Sequence, residues 1–384
     1  MRSLFDTIGR LKSLRVQRQQ AFQAADLSSD EMSDLLDFGS NPGNLLAKIH
    51  IPARLARGAA LVVVLHGCAQ NAAGYDHGTG WSALAEARGF ALLLPQQQRA
   101  NNANLCFNWF PPEDSRRDSG EALSIRQMIH AMSLRYKVAT DRVFITGLSA
   151  GGAMASVMLA AYPEVFAGGA IIGGLPFDCA HTIPEAFDRM RGHGIPTEEK
   201  LRASLQRASN HAGPWPKISI WHGDADGVVS PANADAIAAQ WRGVHDVENI
   251  SPIVEKTADL TKRIWRGADG GERIVEYRVN GMGHGTPIST GDQPGEGVAG
   301  PFMLDVGLSS TRILAKSWGL MEGAKANVAE RHRVGEKGIR HLAVQNGLGE
   351  NVNAAPAGVS AKSSGVKKII EDALRSAGLM PPVG

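Results

Sequence analysis

The chain has 384 residues, 43% hydrophobic and 20% charged, with a formal net charge of +2. That length suits one large α/β domain with appendages, and the near balance of charge gives no electrostatic reason to expect nucleic acid as a partner. No run of about 18 apolar residues is present to span a bilayer, and the N-terminus lacks an uninterrupted apolar signal core, so a soluble cytoplasmic protein without a transmembrane segment is expected.

In residues 1–25, Leu4, Ile8, Leu11, Leu14, Val16 and Phe22 recur among Arg and Lys at roughly helical spacing. An amphipathic helix is expected there, with residues 1–44 forming an N-terminal segment that Asn41-Pro42-Gly43 breaks. The helix could pack on its own domain or a second copy, or lie on a lipid or polymer-granule surface. From residue 45 apolar runs alternate with helical segments, the pattern of parallel strands joined by crossover helices. Strands are expected at 45–51, 59–65, 90–94, 143–147, 167–172, 217–221 and 273–279, and helices at 81–88, 120–136, 151–162 and 232–241. This predicts an α/β domain over 45–320, with a mostly parallel central sheet and helices on both faces.

Residues 175–215 interrupt the alternation with Pro176, Pro184, Gly192, Gly194, Pro196 and Pro214 around a short helical piece. An insertion beyond a strand's carboxyl end is where a cap over a crevice would sit. Residues 321–384 turn to Gly, Ala, Lys and Glu, with a linker and a short amphipathic helix over 366–374, and are expected to be an appendage.

Gly147-Leu148-Ser149-Ala150-Gly151 follows an apolar strand and precedes a small-residue helix, which is the setting of a nucleophile elbow. A serine hydroxyl attacks a carbonyl only beside a base, with a carboxylate to orient that base and N–H donors for the developing oxyanion. His284, among Gly281, Gly283 and Gly285 after the strand at 273–279, is the expected base. Asp226, in His222-Gly223-Asp224-Ala225-Asp226, is the expected orienting acid, and Asp224 is expected to support its turn through backbone N–H groups. The order Ser149, Asp226, His284 is that of α/β-hydrolases. Leu65-His66-Gly67-Cys68 opens from a buried strand as an oxyanion loop would, so the N–H groups of Cys68 and Ala150 are the expected oxyanion hole. His66 is expected to brace that loop, and it is placed with Trp109 on the substrate side.

Leu65-His66-Gly67-Cys68, Cys106-Phe107-Asn108-Trp109-Phe110, the 147–154 elbow and His222 to Asp226 together resemble the poly(3-hydroxybutyrate) depolymerase family of esterases, over about residues 45–320. The resemblance implies an α/β-hydrolase fold and a serine esterase acting through an acyl-enzyme. Short-chain hydroxyalkanoate polyesters or oligomers are the implied substrate, and feruloyl or acetylxylan esters the alternative, since those esterases are close relatives. It also implies that Cys68 and Cys106 can bridge, as in exported members, whereas in a reducing cytosol both would stay thiols. Phe107, Trp109, Phe110 and Trp81 are candidates to line the acyl or alcohol pocket. The three cysteines include no C-x-x-C pair, and neither metal nor cofactor is expected. A different class of reading, a non-catalytic binder of polymer granules held by terminal amphipathic helices, leaves the Ser149, Asp226, His284 set without a purpose.

Overall fold

The computed structural model describes residues 32–322; the expected N-terminal helix and nearly all of the C-terminal appendage lie outside the described residues. The chain divides into two units, Met1–Ala324 and Lys325–Gly384, and the described residues belong to the first.

Among the described residues ten strands form one sheet: β1 (Ser33–Asp34), β2 (Leu46–His50), β3 (Leu61–Leu65), β4 (Ala91–Gln96), β5 (Val143–Leu148), β6 (Gly168–Ile172), β7 (Lys217–Gly223), β8 (Ile253–Lys256), β9 (Leu260–Arg266) and β10 (Glu272–Val279). Their order is β1-β2-β4-β3-β5-β6-β7-β10-β9-β8. The six strands from β4 to β10 run parallel, and antiparallel strands close both edges. All seven expected strands are present.

Leu61-Val62-Val63-Val64-Leu65 shows why the interior runs are unbroken in hydrophobicity. Every residue of β3 is buried, and successive side chains enter different cores: Leu61, Val63 and Leu65 join one cluster, Val62 and Val64 the other. A strand covered by helices on both faces needs apolar residues at both phases of its pleat. The edge hairpin β8–β9 escaped prediction for the opposite reason. All four residues of β8 are exposed, and β9 mixes Lys262 and Arg263 among its apolar positions, so neither shows the pattern of a buried strand.

The segment at 175–215 carries two helices, Ile183–Met190 and Glu198–Arg207. It is knit to the following domain helix Ala232–Arg242, where Gln240 Nε2 donates to the carbonyls of Phe177 and Leu201 and its Oε1 accepts from Phe177 N–H at 2.9 Å. Beyond the main sheet, β11 (Thr286–Ile288) and β12 (Met303–Asp305) make a small parallel pair directly after the histidine loop.

Candidate active site

Register places the chemistry on one edge. Leu65 pairs with Gly147, Leu148 with Ile172, Ile172 with Trp221, and Gly223 with Val279, so the carboxyl ends of β3, β5, β6, β7 and β10 lie side by side. Cys68, Ser149, Asp226 and His284 all leave the sheet from these ends, the edge at which open parallel sheets build their crevices.

Ser149 sits at φ 57°, ψ −118°, between the last residue of β5 and the helix Ala150–Ala161. This is backbone that non-glycine residues seldom adopt, at a cost on the order of 1–3 kcal/mol. The flanking glycines answer a different need, close approach. A Cβ on Gly151 would stand 2.4 Å from the His66 carbonyl oxygen, and one on Gly147 2.4 Å from the Gly151 carbonyl oxygen. The sharp turn therefore presses the helix start against the end of β3, leaving Ser149 half-buried among buried neighbours.

Asp226 and His284 meet. Asp226 Oδ2 lies 2.7 Å from His284 Nδ1, while Oδ1 accepts the N–H groups of Val228 at 2.8 Å and Val229 at 2.9 Å. A carboxylate only accepts, so Nδ1 carries the proton and Nε2 is left with its lone pair. Burial acts to raise the Asp226 pKa, but the His222 and His284 imidazoles beside it and the Val229 N–H outweigh it and hold the carboxyl well below the usual range. Asp224 has the supporting place: its Oδ1 accepts the Gly281 N–H at 2.6 Å, tying down the histidine loop.

The serine elbow and the imidazole share a neighbourhood through β6. Ser149 N–H donates to the Ile172 carbonyl at 2.9 Å, and a Cβ on the next residue, Gly173, would stand 3.2 Å from His284 Cε1. The two expected oxyanion donors are likewise adjacent, because the His66-Gly67-Cys68 turn lies against Gly151. Gly67 N–H is taken by Gln70 Oε1 and Ala69 N–H by the Asn104 carbonyl, whereas the Cys68 N–H has no acceptor among the described residues. Ala150 opens its helix, where N–H groups lack intrahelical partners.

Two expectations on the substrate side are corrected. His66 is 1% exposed, its Nδ1 pairs with the Gly67 carbonyl at 2.8 Å, and its Nε2 accepts the Gln97 N–H at 3.1 Å. No ring nitrogen remains for a ligand, so His66 braces the turn instead of touching substrate. Trp81 and Phe107 are core residues: Trp81 stacks on Trp318 at 5.9 Å, and Phe107 packs against His66 at 4.9 Å. Trp109 is 7% exposed with its ring edge-on to Phe110, which is the more open of the two. Cys68 and Cys106 form a disulfide.

Sequence reasoning assigned nothing to His222, whose Nε2 donates to the Val229 carbonyl at 2.8 Å and lies 3.3 Å from Asp226 Oδ2. Its place at the end of β7, four residues before the acid, was the available signal. Phe302, at φ 63°, packs edge-on to the His284 ring with centroids 6.1 Å apart; nothing in its local sequence marks it.

A strained serine at a strand-to-helix turn and a buried acid on an imidazole, on one edge of a doubly covered parallel sheet, define a carboxylic ester hydrolase of the α/β-hydrolase fold. The chain belongs to the esterase PHB depolymerase family, whose model matches residues 47–251. It is 40% identical over 293 residues to poly(3-hydroxyalkanoate) depolymerase C of Paucimonas lemoignei, covering 76% of this chain and 70% of that one. Acetylxylan esterase A of Emericella nidulans is 30% identical over 280 residues, covering 68% of this chain and 88% of the relative. The solved acetyl xylan esterase from Aspergillus awamori superposes with a TM-score of 0.64 at 24% identity, over 75% of this chain and 99% of that chain, which shows the shared fold.

Proposed function

We propose that Ser149, His284 and Asp226 are the catalytic triad and that the N–H groups of Cys68 and Ala150 are the oxyanion hole. Ser149 Oγ attacks the ester carbonyl while His284 Nε2 takes its proton, and the carbonyl π electrons move onto oxygen, where the two N–H groups receive the charge. Collapse expels the alcohol, which takes the proton from His284. Water, deprotonated by the same nitrogen, then attacks the acyl-enzyme and releases the acid, returning Ser149 to its hydroxyl form. The observation that carries this reading is the Asp226 to His284 contact at 2.7 Å, which sets the imidazole tautomer that a base requires.

The substrate class we infer is short-chain hydroxyalkanoate esters, on the strength of the 40% identity to the Paucimonas depolymerase. A second reading, acetyl esters of xylan, is favoured by the fuller coverage of the acetylxylan esterases. Side-by-side hydrolysis of hydroxybutyrate oligomers, acetylated xylan and methyl ferulate separates them. The first reading predicts a kcat/KM for the oligomers at least tenfold above the other two, and a preference for acetylated xylan overturns it. Among the described residues no helix is long and apolar enough to cross a membrane. The Cys68 to Cys106 bond supports work in an oxidising compartment.

A further inference from the structure

Behind the oxyanion turn lies a buried polar relay whose centre, Glu121, has no part in the chemistry so far described. Glu121 is fully buried near the start of the helix Gly120–Tyr136. Its Oε1 accepts Gln97 Nε2 at 2.6 Å and Asn101 Nδ2 at 3.1 Å, and its Oε2 accepts the Asn108 N–H at 2.9 Å. These donors are neutral, and burial pushes the carboxyl up to about 8 against their pull. Such a group is costly to keep in a core.

What Glu121 holds is Gln97, and Gln97 reaches the oxyanion turn by two routes. Its backbone N–H donates to His66 Nε2 at 3.1 Å. That leaves the His66 proton on Nδ1, which donates to the Gly67 carbonyl at 2.8 Å. Burial pulls the His66 pKa down to about 4, so the ring stays neutral and keeps Nε2 as an acceptor. The second route runs from Gln97 Nε2 to the Cys106 carbonyl at 3.0 Å, and Cys106 is bonded to the side chain of Cys68. The first route ends on the carbonyl of the peptide between Gly67 and Cys68, and the second on the Cys68 side chain that follows this peptide. In a trans peptide the N–H points opposite to the C=O, so a carbonyl anchored from behind aims the Cys68 N–H forward. A hydrogen bond accepted by that carbonyl also strengthens the N–H as a donor.

We propose that Glu121 is a positioning residue for ester hydrolysis: through Gln97 it fixes the Gly67 to Cys68 peptide so that the Cys68 N–H faces the oxygen that becomes the oxyanion. This rests on the reading of Cys68 and Ala150 as the oxyanion hole. A donor that acts only in the transition state changes kcat and leaves ground-state binding alone, whereas loosening of the whole site changes both.

The test compares a p-nitrophenyl ester with its thiono analogue, whose larger sulfur is a poor acceptor for donors set to receive oxygen. The variants are Glu121→Gln, isosteric but with an NH2 donor in place of one acceptor oxygen, and Gln97→Met, which cuts the side-chain bridge and keeps the backbone N–H on His66. Wild-type protein should strongly favour the oxo ester. Both variants, folded by circular dichroism, should lose about tenfold in kcat on the oxo ester, with KM within twofold, and the oxo-to-thiono rate ratio should shrink in step. An intact ratio in the folded variants overturns the role of Glu121 alone. A wild-type ratio near one refutes the Cys68 and Ala150 donors, and this inference with them. Failure of both variants to fold would make Glu121 a structural residue only and would also overturn the proposal.

Discussion

Asp226 and His284, 58 residues apart in the chain, meet through Oδ2 and Nδ1 at 2.7 Å, and the other carboxylate oxygen is pinned by two backbone N–H groups. With one oxygen on the imidazole and the other on two backbone N–H groups, the plane of the carboxylate is fixed. In Asp226→Asn the amide either turns an NH2 toward Nδ1, forcing the wrong tautomer, or faces it toward Val228 and Val229. Its kcat should fall by about 10⁴ with the fold kept. Asp224→Ala loses one exposed hydrogen bond to the Gly281 N–H, about 1 kcal/mol of stability and less than tenfold in rate. Steady-state kinetics on the two variants would reverse the assignment if Asp224→Ala proved the more damaged.

Gly173 tests how closely the imidazole is fitted. Its φ is +52°, and an added Cβ would stand 3.2 Å from His284 Cε1 and 3.7 Å from Asp226 Oδ2. Gly173→Ala should cost about 1–2 kcal/mol in stability through the left-handed backbone, and should lower kcat about tenfold by displacing the ring. Paired melting curves and kinetics check it; a stability loss with unchanged kcat would show that the ring has slack.

The cysteines predict a thiol count. Of three in the chain, Cys68 and Cys106 are bonded and Cys179 is free and buried. A thiol reagent should find no reactive group in the native protein, one after unfolding without reductant, and three after unfolding with it. The bond closes a separation of 38 residues, worth about 4 kcal/mol on loop entropy, so the reduced protein should unfold at clearly lower urea. Three thiols in unreduced material would contradict the pairing.

Acid should weaken the fold through His66. Its folded pKa is lowered to about 4 from an ordinary 6.5, so its contribution is complete above 6.5 and is lost as pH falls toward the folded value. Between about pH 7 and about pH 5 that loss is about 2 kcal/mol, and urea titrations of His66→Gln should show a pH dependence shallower by that amount. An equal slope in both proteins would mean the ring is not held neutral. Asp226, its folded pKa depressed, loses its contribution only as pH falls through that lower value. It should therefore add no inflection to the activity profile between about pH 5 and 8, where imidazoles titrate.

Much of this was legible from the chain because the buried parallel strands and the elbow are local patterns. Val62 and Val64 read as a strand without knowledge of the helices that cover them. The chain order of Ser149, Asp226 and His284 could be compared with the sheet's carboxyl edge before any coordinate was known. What could not be read is what tertiary neighbours decide. His66 stands beside an expected oxyanion donor and so looks like a substrate contact, until the Gln97 N–H is seen to occupy its second nitrogen. Glu121, at a helix start, looks like an ordinary acid favoured by the helix dipole; its burial and three donors come from segments 13 to 24 residues away. The β8–β9 hairpin carries the mixed polarity of an exposed edge and no alternation to mark it.

The catalytic role of Ser149 is tested most directly by peptide mapping with mass spectrometry after treatment with a fluorophosphonate, an electrophile that reacts fastest with a serine activated by a neighbouring base. One adduct is expected, on Ser149, absent from Ser149→Ala and formed far more slowly in Asp226→Asn. An adduct on another residue, or a folded Ser149→Ala protein that still hydrolyses the ester, would contradict it.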